Sequence, residues 1–142
     1  MRWLAIDPGD RYIGVAVSDP LGLIARPLTT LEHVARAADA ERLIALAREH
    51  AVESVIVGWP LDEDGQAGPQ ARKSERLAEA LRALTDLPVL LVDESGSSQT
   101  ARALLIATGK SRRARHAQEH AAAAAALLQS YLDANSSEPP PR

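Results

Sequence analysis

Three acidic residues stand where short apolar runs end. Asp7 follows Trp3-Leu4-Ala5-Ile6, and Asp93 and Glu94 follow Val89-Leu90-Leu91-Val92. Runs of this kind read as buried strands, and in an α/β sheet the functional groups gather beyond the carboxyl ends of parallel strands. If the two strands are neighbours or near neighbours, their carboxylates converge. Converging carboxylates repel, and a hard divalent cation relieves the repulsion while accepting water and phosphate oxygens as further ligands. Two such ions roughly 3.5 to 4 Å apart stabilise both the attacking water and the leaving oxygen of a phosphodiester. The chemistry this pattern favours is therefore phosphodiester hydrolysis. A plainer reading stays open beside it. Asp7 before Pro8-Gly9 suits a turn whose side chain caps backbone amides, and Asp93-Glu94 before Ser95-Gly96-Ser97-Ser98 suits a loop with a serine helix cap. Asp62, Glu63 and Asp64 read as a solvated loop.

The elements that must position these groups follow from the pattern of apolar residues. Arg2 to Ile6 reads as a buried strand, and Tyr12 to Asp19 alternates with Ile13, Val15 and Val17 on one face, the two joined by the turn Asp7-Pro8-Gly9-Asp10. A third strand is expected from Leu23 to Leu31, with Pro27 at a sheet edge because it cannot donate to a ladder. Helical spacing then predicts a helix over Ala35–His50, a buried strand over Val52–Val57, a polar loop from Gly58 to Gly65, a helix over Gln70–Leu84 and a strand over Pro88–Val92. Ser97–Ala107 reads as helical, Gly109–Arg115 as a basic connector, and Ala117–Leu132 as an alanine-rich helix. The expected fold is α/β: a mixed five-stranded sheet, with a three-stranded antiparallel meander and two parallel strands, flanked by helices. One domain should span residues 1–134, and the serine- and proline-rich stretch 135–142 should be a disordered tail.

Composition narrows the function. With 142 residues and 46% hydrophobic content, one core can form without staples. The chain has no cysteine, so thiolate metal sites and cysteine nucleophiles are excluded, and any metal must be held by carboxylates, imidazoles or water. The start is too brief for a secretory segment, and no apolar stretch reaches the roughly 18 residues needed to span a membrane, so a soluble cytoplasmic protein is expected. A net charge of −3 argues against indiscriminate polyanion binding, and 3% aromatic content argues against a base-stacking surface. Nucleic acid, if bound, is held by its phosphates.

Taken in order, the motifs resemble a known family. Asp7-Pro8-Gly9-Asp10-Arg11-Tyr12-Ile13-Gly14-Val15-Ala16 is similar to the opening D-x-G-x-x-x-I-G-V-A of YqgF (RuvX) proteins. Val55-Ile56-Val57-Gly58-Trp59-Pro60-Leu61, with Asp64-Gly65 after it, resembles the family's I-V-G-L-P-L and downstream D-G. Asp93-Glu94 followed by Ser97-Ser98-Gln99-Thr100-Ala101 resembles its D-E-R-L-S/T-T-x-x-A. The resemblance implies an RNase H-like fold, a role in maturing the 5′ end of 16S ribosomal RNA or in resolving branched DNA, and a carboxylate site using Mg²⁺ or Mn²⁺. It implies Asp7 as the central metal ligand, with Glu94 and, beside it, Asp93 completing the site.

The sequence departs from the family pattern twice. Ser95 stands where the family has arginine after D-E. His120 stands at the place of an Asp that opens the family's last helix, as counted back from Leu128-Gln129-Ser130-Tyr131. A neutral imidazole binds Mn²⁺ acceptably and Mg²⁺ poorly, so a preference for Mn²⁺ is expected, with a general-base role for His120 as the alternative and a half-exposed helix residue as the plain one. Lys110, Arg112, Arg113 and Arg115 precede that helix and could contact substrate phosphates, with Arg11 and Arg72-Lys73 as weaker candidates. His33 and His50 read as ordinary surface residues. The rival to a nuclease is a catalytically weak nucleic-acid-binding factor of the same fold. Paired cuts across a symmetric junction would further require two sites, and hence a homodimer.

Overall fold

The computed structural model describes residues 1–62, 64–93 and 112–136, by backbone alone at 112–118 and 136. The expected helix Ser97–Ala107, together with Glu63, Glu94 and Lys110, lies outside the described residues. Along the chain come β1 (Trp3–Pro8), β2 (Tyr12–Ser18), β3 (Ala25–Glu32), α1 (Arg36–Glu49), β4 (Ser54–Trp59), α2 (Pro69–Arg82), β5 (Val89–Asp93) and α3 (Arg112–Ser136). They build a five-stranded sheet in the order β3-β2-β1-β4-β5. The first three strands run antiparallel, while β4 is parallel to β1 and β5 is parallel to β4. This is the expected mixed sheet. Asp7 and Asp93 therefore end strands separated by one intervening strand.

Local chemistry accounts for several boundaries. The β1–β2 turn closes with the Gly9 amide donating to the Tyr12 carbonyl at 2.9 Å. A Cβ on Gly9 would stand 2.7 Å from that same oxygen, so only glycine fits so tight a turn. β3 begins at Ala25, two residues later than the alternation suggests. The Asp19 carboxylate accepts hydrogen bonds from the Leu23 and Ile24 amides, at 2.7 and 2.9 Å, and folds 20–24 into a turn that leaves both apolar side chains exposed. Pro27 sits on the edge strand as expected, next to a register shift. Gly58 and Trp59, expected in a loop, extend β4 because β5 offers them partners in Val92 and Asp93.

The last helix departs most from expectation. It starts at Arg112, so Arg112, Arg113 and Arg115 belong to its first turns and not to a connector. It also continues to Ser136, two residues into the stretch expected to be tail. Nothing in this segment breaks a helix: it holds no glycine or proline, and its alanine run carries the lowest helix cost.

The two faces of the sheet are packed differently. Leu4, Ile6, Val15, Val55 and Val57 point to the side covered by α1 and α2, where Leu43 and Leu81 are fully buried against them. Each such leucine contributes about 2 kcal/mol by leaving water. Ala5, Ala16 and Ile56 point the other way, onto Ala124, Leu127 and Leu128 of α3. Small residues on both partners let this helix lie close to the sheet.

Candidate active site

Asp7 lies on the α3 face, since it shares the alternation of Trp3 and Ala5, both packed on that side. Its partner across the antiparallel ladder is Gly14. On the other side it is level with Gly58, one step beyond the pair Ile6–Val57. Glycines thus flank the carboxylate on both neighbouring strands. The Asp7 side chain is half-buried.

Gly14 explains how α3 reaches this corner. A Cβ there would fall 1.8 Å from the His120 carbonyl oxygen and 2.9 Å from the Ala121 nitrogen, so helix backbone lies directly on strand backbone. His120 is thereby fixed at the level of the strand pair that carries Asp7. Its imidazole lies beside the β1–β2 turn, with Cε1 3.7 Å and Nδ1 3.8 Å from the place a Gly9 Cβ would occupy. Its ring centre is 5.3 Å from that of Tyr12, tilted by 40°. The side chain is half-buried, held between Tyr12 and the turn.

Two of the remaining sequence candidates, Asp93 and Arg11, fall elsewhere. Asp93 follows the alternation of Val89 and Leu91, which pack toward α1 and α2, so it lies on the opposite face from Asp7. Glu94 and Lys110 are outside the described residues, and the side chains of Arg112, Arg113 and Arg115 are likewise not described. Arg11 is exposed in the β1–β2 turn. Among the described residues no three histidine or acidic side chains gather closely enough to hold a metal ion. Asp7 and His120 supply two donors, an oxygen and an imidazole nitrogen, whose chemistry fits a divalent cation of borderline hardness.

Sequence reasoning passed over a second polar cluster, on the α1/α2 face of the same turn. His33 is no isolated surface residue, because its Nδ1 hydrogen-bonds the carboxylate of Asp39, which is only 2% exposed. Asp39 also accepts from the Val34 amide at 3.1 Å and from Arg42 at 2.6 Å. Burial is the strongest influence on its carboxyl and raises its pKa, but the bonds from Val34, His33 and Arg42 together outweigh it and hold the group below its ordinary value. An Asp four positions after the uncapped Ala35 is the sequence signal that could have found it. Close by, Asp10 accepts from Lys73 at 2.8 Å and Gln70 at 2.9 Å, and the Lys73 hydrogen bond is the main reason its pKa is lowered. These bonds tie the turn to α2.

The chain is matched over residues 1–134 by the family model described as RuvX, Holliday junction resolvase. It is 44% identical over 135 residues to a Geobacillus kaustophilus protein named as a pre-16S rRNA nuclease, covering 94% of this chain and 98% of that one. A Roseiflexus protein of the same name is 38% identical over 132 residues, covering 93% and 94%. Among solved structures, the chain is similar to Thermus thermophilus RuvC in complex with a Holliday junction, with a TM-score of 0.60, 18% identity and 96% of each chain covered. It is also similar to the fowlpox virus resolvase bound to junction DNA, with a TM-score of 0.60, 10% identity and 95% and 99% covered. At these identities the structural likeness is one of fold, and it is the RNase H-like fold anticipated from the sequence motifs. Among the described residues no helix is long and apolar enough to cross a membrane.

Proposed function

Because the chain belongs to the RuvX, Holliday junction resolvase, family, we propose that it is a divalent-metal-dependent nuclease that hydrolyses phosphodiester bonds in structured RNA, with the precursor of 16S ribosomal RNA as its substrate. The observation that carries this reading is the shared corner of Asp7 and His120, where Gly14, the ladder partner of Asp7, seats the helix that brings the imidazole. The names of relatives about 40% identical favour RNA. Branched DNA is the second reading, favoured by the description of the family model.

Asp7 and His120 would hold the ion, with Glu94 as the third donor. Such an ion supplies Lewis-acid stabilisation of the charge that develops on phosphate oxygens. His120 lies between Tyr12 and the turn, so ordering its ring on binding would carry little entropy cost. An imidazole in place of a carboxylate lowers the negative charge of the donor set and shifts its preference from Mg²⁺ toward Mn²⁺.

The test incubates the protein with a labelled RNA spanning the 5′ boundary of 16S precursor, with single-stranded DNA and with a four-way junction, each in Mn²⁺, Mg²⁺ or EDTA. Cleavage of the RNA in Mn²⁺ is expected. It should fall about a thousandfold in Asp7→Asn, the equivalent of about 4 kcal/mol in the barrier. His120→Asp should restore activity in Mg²⁺ relative to Mn²⁺. Cleavage of the junction alone would replace the RNA reading by the DNA one and would call for a dimer in sedimentation. Binding without any metal-dependent cleavage would leave the protein as a nucleic-acid-binding factor.

A further inference from the structure

A cavity of about 240 Å³ opens on the α1/α2 face of the sheet, behind the turn that carries the candidate active site on its other side. Its walls include Pro8, Gly9 and Asp10 of the turn, Arg36 at the start of α1, and Lys73 and Arg76 of α2. The charges around it do not cancel. Asp39 is answered by Arg42 and His33, and Asp10 is answered by Lys73. Arg36 and Arg76 have no ion-pair partner among the described residues. In a chain of net charge −3, two unpaired guanidinium groups at one concavity are a local reversal of sign.

The backbone adds to this. α1 starts at Arg36 behind Ala35, which has no side chain able to cap, and no side-chain hydrogen bond caps the helix. The amides of its first turn thus face the cavity end of the helix without a side-chain acceptor, and they carry the positive end of the helix dipole. A tetrahedral oxyanion with several acceptor oxygens complements both features, and guanidinium groups bind such an anion in bidentate fashion.

We propose that this cavity binds a backbone phosphate of the nucleic-acid strand through Arg36 and Arg76, at a position displaced along the strand from the bond that is cut. The proposal rests on the nuclease reading for the identity of the strand. The cavity is smaller than the roughly 300 to 1,000 Å³ of pockets that engulf a small molecule. That size suits a phosphate of a strand lying mostly outside, more than a nucleotide enclosed whole. Gly9 borders both this cavity and the His120 ring, so a strand crossing the turn passes from one site to the other. Between them, Asp10 of the turn accepts hydrogen bonds from Lys73 and Gln70 of α2. The second phosphate would thereby fix the register in which the strand meets Asp7.

The experiment measures binding of a short fluorescent single-stranded RNA by anisotropy in EDTA, where no cleavage occurs, across a salt series. Arg36→Gln with Arg76→Gln is expected to weaken binding about tenfold and to reduce the slope of log affinity against log salt by about 0.7, the value for one single-strand phosphate. Arg36→Lys with Arg76→Lys, which keeps the charge, should recover the slope. Affinity and slope unchanged in the glutamine variant would overturn the proposal. If that variant does not fold, titrating the RNA into wild-type protein while following the side-chain N–H signals of Arg36 and Arg76 decides, and signals that stay still overturn it. Inorganic phosphate and AMP are titrated in parallel. Arginine signals that move with these but not with RNA would assign the cavity to a free phosphate ligand and overturn the strand. Failure of the nuclease reading would show separately, as wild-type protein that does not cleave when metal is supplied.

Discussion

The two faces of the sheet meet the same turn in opposite ways. On the α3 face, contact is backbone to backbone, made by Gly14 and cushioned by alanines, and the polar groups there, Asp7 and His120, remain half-buried. On the α1/α2 face, large aliphatic side chains keep helices and sheet apart, and the polar group at the turn, Asp39, is buried and engaged by three partners. The difference teaches that closeness of packing and availability for chemistry can coincide. A surface built from glycine and alanine brings a helix near without side chains in the way, so a carboxylate and an imidazole are held at one corner. A surface built from leucine and valine creates polar groups that must satisfy one another.

The sharpest way to break this contrast is Gly14→Ala. One methyl group would meet the His120 carbonyl at 1.8 Å, which backbone cannot yield without displacing α3. A loss of about 3 kcal/mol is expected in urea denaturation, at the upper end for overpacking, and cleavage should fall further than stability because His120 moves with the helix. A stable, active Gly14→Ala protein would show that the close approach is not required.

Next in size is Asp39→Ala, which leaves the Val34 amide without its acceptor and Arg42 with only the Glu32 carbonyl, and should cost about 2 kcal/mol at neutral pH. The pH dependence follows from the direction of its shift. Asp39 is lowered from its ordinary 3.8 in the folded protein, so the unfolded chain takes up its proton first as pH falls. The stabilisation is complete above that ordinary value and disappears as pH drops through the lower folded one. The gap between wild type and Asp39→Ala in denaturation midpoint should therefore close in acid, and a gap that persists would assign the effect to packing.

Leu43→Met sharpens the other side of the comparison. A volume-conserving change on the aliphatic face should cost about 1 kcal/mol and leave cleavage intact. The smallest effect is expected from Asp10→Asn. This carboxylate is exposed, so its pair with Lys73 is screened by water, and a slight decrease in melting temperature at low salt should vanish in concentrated salt.

Much of the architecture is written in local pattern. Alternation of Ile13, Val15 and Val17, helical spacing of Leu43 and Ile44, and the position of Pro27 each report directly which side of an element meets the core. Boundaries were less legible where a single side chain overrides the pattern. Asp19 converts the apparent strand residues Leu23 and Ile24 into a turn, and the pairing with β5 converts Gly58 and Trp59 from loop into strand. The polar cluster was hidden for the same reason, since His33, Asp39 and Arg42 become partners only when the end of β3 and the first turns of α1 fold against each other.

By itself, the sequence determined the order of strands and helices, the family and the acidic residue at the end of β1, because periodicity and motif spacing are properties of the chain. Tertiary structure alone decided that Gly14 lies against the backbone of α3, that His120 shares a corner with Asp7, that Asp93 falls on the opposite face, and that two arginines from different helices border one cavity. Those are relations between segments far apart in sequence. They exist only once the sheet has fixed which face each residue occupies and how near each helix can come.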